Sequence, residues 1–98
     1  MRVRFANNIL ERIETDDPPL KEFSVAIIES ARSKLNFIRS AKDERDLRNW
    51  KSLHYEKLSG DRAGQRSIRL NKKMRMVFTI DKSTTSPTVT IIEIADYH

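Results

Sequence analysis

Cysteine is absent from the 98 residues, which excludes disulfides and thiolate metal sites. Histidine occurs only at His54 and His98, too few for a histidine-rich metal site, and no carboxylate motif makes up the difference. There is no Gly-rich phosphate loop, no nucleophile elbow and no pair of catalytic carboxylates. Neither a metal nor another cofactor is therefore expected. Apolar runs stay well short of the roughly 20 residues that span a bilayer. The opening Met1-Arg2-Val3-Arg4-Phe5-Ala6-Asn7-Asn8 has charge but no apolar core behind it, so no export signal is expected and the expected location is the cytoplasm. Repeats, low-complexity stretches and linkers are missing too. The expectation is one domain over residues 1–98, with one core. A chain this short cannot enclose a large cavity, so an active site would be an open cleft or one completed by a partner.

What is present is charge. Charged residues make up 34% and hydrophobic ones 38%, a globular balance. The net charge of +5 favours a polyanionic partner, but a well-solvated surface would give the same total. The placement of the charges has to decide between them.

Arg2 to Phe5 reads as a first strand. Asn8 reads as a helix cap with Glu11 in capping-box position. Thr15-Asp16-Asp17-Pro18-Pro19 ends that helix and opens the next. Leu20, Phe23, Ile27, Ala31, Leu35 and Ile38 recur at threes and fours, the stripe of a long amphipathic helix. Ser40 to Leu58 loses that period and reads as an irregular loop pinned by Leu47, Trp50, Leu53 and Leu58, with room for one short helical turn. Gly60 and Gly64, the only glycines, mark a tight turn. Three strands follow, over Gln65–Leu70, Met74–Ile80 and Thr88–Ile94, the first two joined by Asn71-Lys72-Lys73. Helices grouped before a strand meander predict an α+β fold: a small twisted antiparallel sheet with two N-terminal helices on one face and the other face open.

Period two puts Arg69 and Arg75 on the open face, with Lys72 and Lys73 in the joining turn and Arg62 and Arg66 just upstream. Guanidinium forks suit phosphate, although arginines also decorate ordinary sheet surfaces. Lys57, near the glycine turn, is a further candidate for a nucleic-acid backbone. Asp96 and His98 share a face if the last strand stays extended. A histidine beside a carboxylate is an acid–base unit titrating near neutrality. His54 has no evident partner in sequence and reads as a surface or packing residue. Trp50, Tyr55 and Tyr97 could stack on bases, though Trp50 reads better as a cover over the core.

Leu58-Ser59-Gly60-Asp61-Arg62-Ala63-Gly64-Gln65-Arg66-Ser67-Ile68-Arg69-Leu70-Asn71, then Met74-Arg75-Met76-Val77-Phe78, then Asp96-Tyr97-His98, resembles the HigB branch of the RelE/ParE-type toxins. The likeness is dense in the C-terminal half and confined to helical layout in the N-terminal half. It implies a metal-independent, ribosome-dependent messenger-RNA endonuclease, neutralised by a HigA-type helix-turn-helix antitoxin. In such enzymes the ribose 2′-hydroxyl attacks the neighbouring phosphate. Carried over by position, Arg69 and Arg75 would stabilise the phosphate charge, His98 would be acid or base, and Asp96 its orienting partner or the base itself. Tyr97 would position the nucleotide. The pattern departs in three places: Ser59 stands where some relatives have a catalytic lysine, Arg66 where many have tryptophan, and Met74 where an aromatic is common. A ParE-like toxin acting on gyrase without catalysis, or a plain RNA-binding protein, would need the basic face but not the terminal acid–base pair.

Overall fold

A computed structural model of the chain describes residues 1–96. Five strands form one sheet in the order β1-β5-β4-β3-β2. They are β1 (Arg2–Phe5), β2 (Glu56–Lys57), β3 (Arg66–Arg69), β4 (Met74–Asp81) and β5 (Thr88–Asp96). The helices are α1 (Asn8–Glu11), α2 (Val25–Ser40) and α3 (Glu44–Asn49). The fold is α+β, as the grouping of helices before strands predicts. The sheet is mixed, however: β2 to β5 pair antiparallel, while β1 lies parallel to β5 at the edge, with Arg2 opposite Thr88.

One face of the sheet carries the core. Ile68, Met76, Phe78, Val89 and Ile91 meet Ile27, Ile28, Ala31, Leu35 and Ile38 of α2. Leu10, Ile13, Leu47 and Leu53 close the same cluster from α1, the turn after it, α3 and the turn before His54. Alternation explains the sheet half of this core and the 3.6-residue period explains the helical half. In β5 the register shifts beside Val77 and Phe78, so that Ile91 and Ile94 both fall on the core side of the ladder with two residues between them.

Three local expectations need correction. The first helix is capped by Asn7, not Asn8: the Asn7 side chain accepts from the Leu10 amide at 3.0 Å. The long helix begins at Val25, capped by the Ser24 hydroxyl on the Ile27 amide, and not at the prolines. Pro18 to Phe23 form turns closed on the Pro18 and Pro19 carbonyls, which leaves Leu20 57% exposed. The Ser40–Leu58 stretch holds more order than expected: α3, a 3-10 turn over Lys51–Leu53, and β2. Asp43 caps α3 by accepting from the Arg45 amide at 2.9 Å. Gly60 and Gly64 both have positive φ, +64° and +91°, the left-handed backbone that the turn requires. No helix among the described residues is long and apolar enough to cross a membrane.

Candidate functional site

The β3–β4 register sets Arg69 directly opposite Arg75, and Ser67 opposite Val77. From β2, Glu56 faces Ser67; from β5, Glu93 faces Val77. These residues share the sheet face turned away from the helices. The face is not bare. Ser67 and Val77 are both 0% exposed, among long polar side chains.

Arg75 is the chief of these, its side chain only 13% exposed. Its Nε donates to Ser67 Oγ at 2.7 Å, its Nη2 donates to the His54 carbonyl, and the Glu56 carboxylate lies 3.7 Å from Nη2. Burial is the largest influence on the guanidinium and lowers its pKa; Glu56 acts against this and Arg69 adds to it. Arg69 donates from Nε to the Asn71 carbonyl at 3.1 Å, and its Nη1 lies 3.2 Å from His54 Nε2. Guanidinium nitrogens only donate, so Nε2 must accept and the His54 ring carries its proton on Nδ1. Arg69 Nη2 and Arg75 Nη1 have no hydrogen-bond partner among the described residues. Two neighbouring cations, each with an uncommitted donor, and an imidazole acceptor beside them can receive one phosphate and one proton.

His54, which in sequence reads as a surface or packing residue, is brought by the fold against both arginines. It sits in the left-handed region, at φ 47° and ψ 51°, after the Lys51–Leu53 turn. That kink brings its carbonyl and its ring against the two arginines. Periodicity could not signal it, since the residue stands between a turn and a strand and belongs to neither.

The other candidates scatter. Arg62 bridges from the glycine turn to Gln65 Oε1 at 2.8 Å and to Glu93 Oε1 of β5 at 2.6 Å. Arg66 does not join Arg69 and Arg75. It stands opposite Phe78 on the helix side, bonded to Glu44, to the Tyr55 hydroxyl and to the Gly64 carbonyl. Lys57, opposite Arg66, is exposed, as are Lys72 and Lys73 in the β3–β4 turn. That turn is closed by Asn71 Oδ1 on the Lys73 and Met74 amides. Asp96 is in register with Met74, whereas Ala95 is the residue opposite Arg75. Tyr97 and His98 lie outside the described residues. Trp50 is not a core cover in full: it stays partly exposed, with its ring tilted on Phe37 at 4.2 Å.

Behind the sheet, Glu44 is 4% exposed and accepts from Arg66 Nε at 2.8 Å, Lys82 Nζ at 2.7 Å and the Tyr55 hydroxyl. Burial by itself would raise this carboxyl's pKa, but Lys82 and Arg66 together outweigh it and hold it below the ordinary value. A lowered folded-state carboxyl pKa contributes stability above the unfolded value, and that contribution is lost as pH falls through the lowered one. Thermal melts between neutral pH and about pH 3 should therefore show a larger loss for the wild type than for Glu44→Gln, with the two curves converging in acid. Parallel curves would mean that Glu44 carries no such linkage.

A family model described as the RelE-like toxin of the type II toxin–antitoxin system HigB matches residues 3–98. No curated protein matches the chain in sequence. Among solved structures, a YoeB/ParE toxin from Agrobacterium tumefaciens superposes with a TM-score of 0.62 at 16% identity, covering 100% of both chains. YafQ from Escherichia coli gives 0.67 at 5% identity over 98% of this chain and 93% of its own. The YoeB–YefM complex from Staphylococcus aureus gives 0.57 at 18% identity, over 100% and 97%. At these identities the structural likeness speaks for the fold.

Proposed function

Because this chain belongs to the HigB-like family, the RelE-like toxins of type II toxin–antitoxin systems, we propose that it is a metal-independent endoribonuclease that cuts messenger RNA on the ribosome and is neutralised by a HigA-type helix-turn-helix antitoxin. The observation that carries the reading is the trio of Arg69, Arg75 and His54, with an imidazole nitrogen held as an acceptor 3.2 Å from Arg69. A protein that only bound a polyanion would need the charges and not this acceptor.

The chemistry has three requirements. The ribose 2′-hydroxyl, the group that distinguishes RNA, must lose its proton. Charge building on the phosphorane must be met. The leaving 5′-oxygen must gain a proton. As the phosphate engages Arg69 and draws Nη1 off the ring, His54 Nε2 is freed to take the 2′-proton while the 2′-oxygen bonds to phosphorus, with the Glu56 carboxylate close by on the same face. Arg69 Nη2 and Arg75 Nη1 receive the equatorial oxygens, donors already aimed where negative charge develops. His98 delivers the proton as the phosphorus–5′-oxygen bond breaks. The products are a 2′,3′-cyclic phosphate and a free 5′-hydroxyl. Tyr97 positions the nucleotide, and Lys57, Lys72 and Lys73 follow the flanking backbone. Such an open site leaves orientation of the strand to the ribosome, where it converts a loose encounter into an aligned one. The cytoplasm is the compartment where that substrate is found.

Primer extension on a reporter message tests this, after brief induction of the wild type, His54→Ala and His98→Ala. Wild-type cuts within translated codons should fall by about 10²-fold or more in each variant, the usual weight of a general acid or base. Intact message with growth still arrested would replace the nuclease with the gyrase-directed or simple-binding reading.

A further inference from the structure

Tyr55 lies between two residues of the site face and points away from both. Glu56 pairs with Ser67 on the arginine side. The His54 carbonyl and ring meet Arg75 and Arg69 there as well. Tyr55 instead packs against the core, and its hydroxyl donates to Glu44 behind the sheet. We propose that the Tyr55–Glu44 pair is a positioning device that sets the His54 ring against Arg69, acting on the reaction through the sheet without touching RNA. The inference rests on the nuclease reading above.

Three features of the molecule support it. His54 needs an outside anchor, because its left-handed backbone stands just before β2 and outside the ladder. Within the segment its amide reaches back to the Lys51 carbonyl at 3.1 Å, and across the site its carbonyl accepts from Arg75. The next anchor along the chain is the Tyr55 side chain. Second, Glu44 is tied to three other parts of the fold at once: Tyr55 on the approach to β2, Arg66 on β3 and Lys82 beyond β4. A buried carboxylate with charged and neutral donors is a rigid reference point, since each bond strengthens the others in a low dielectric. Third, the arrangement spans both layers. Arg66 and Arg69 leave β3 in opposite directions, Arg66 to Glu44 and Arg69 to His54. Glu44 therefore ties β3 and the His54–Tyr55 segment together from the side away from the site.

Tyr55→Phe is the sharpest test. It keeps the ring in the core and leaves Arg66 and Lys82 on Glu44. Cleavage of a defined message on purified ribosomes should show kcat down about tenfold with KM unchanged, a displacement of the catalytic group and not a loss of binding. Nitrogen–carbon correlations of the imidazole should show Nε2 unprotonated in the wild type and a mixture of tautomers in Tyr55→Phe. Glu44→Gln should move both readouts the same way, with a melting curve recorded to correct for the folded fraction. Wild-type kcat in Tyr55→Phe, or a lower kcat with the His54 tautomer unchanged, would overturn the inference. If the wild type cuts nothing, the nuclease reading fails, and the imidazole spectra still decide whether Tyr55 positions His54.

Discussion

Replacing Arg75 with alanine is expected to lower message cleavage by about 10³-fold and to abolish growth arrest, through two separate losses. The first is the Nη1 donor that the proposed nuclease mechanism sets on the phosphorane; removing one such donor typically costs about 10²–10³ in rate. The second is internal. Arg75 is the side chain that joins Ser67 Oγ to the His54 carbonyl, so its removal also releases His54 from the sheet. The buried Ser67 hydroxyl then loses its donor, and a stability cost of roughly 1–3 kcal/mol should appear in urea unfolding. Arg75→Lys separates charge from geometry. An ammonium is a point donor, unable to serve Ser67, His54 and a phosphate together from one planar fork. It should restore much of the stability and little of the cleavage. Near-wild-type cleavage by the lysine variant would reduce Arg75 to a simple positive charge.

Phe78→Ala should have the largest effect on folding. Phe78 is 0% exposed, lies opposite Ile91 at the β4–β5 register shift, and belongs to the cluster that joins the sheet to α2. Truncation there removes apolar burial and leaves a cavity, a loss of about 3–5 kcal/mol. A domain of this size has only about 5–15 kcal/mol in total. Urea titration should place the midpoint far below that of the wild type, with little soluble protein at growth temperature. Leu20→Ala is the control: a 57% exposed side chain outside the core should change the midpoint very little. Equal effects from the two would mean that the core is not organised around β4.

How far sequence reading reaches is clear from particular residues. β3 and β4 were legible because each buries one face, so period two separates Ile68 and Met76 from Arg69 and Arg75. Carried one residue further, the same rule handles Arg66. Alternation back from Arg69 lands on Ser67 and Gln65, and puts Arg66 with Ile68 on the helix side. It also pairs Asp96 with Ile94, and the register agrees. The start of α2 was hidden because Leu20 and Phe23 continue the helical spacing through a stretch that the prolines hold in turns; Ser24 is the true cap. α3 was harder. Its two buried residues are Leu47 and Glu44, and a carboxylate facing inward reads as solvent in any hydrophobic pattern. His54 is the extreme case, since its role depends on a left-handed kink and on a carbonyl, neither of which side-chain identity reveals.

The position of β5 has a consequence for how the molecule comes into being. This strand lies between β1 and β4, so the first strand of the sheet has no neighbour until the last one is made. Nearly the whole described chain separates Arg2 from Thr88, and closing so long a loop before any contact rewards it slows folding. While a ribosome is still building the chain, α2 has no finished sheet to cover, and Arg75 sits on a strand with one flank open. A chain that stops before Thr88 loses the strand that joins β1 to β4. The sheet is therefore complete only once β5 has left the ribosome that makes it.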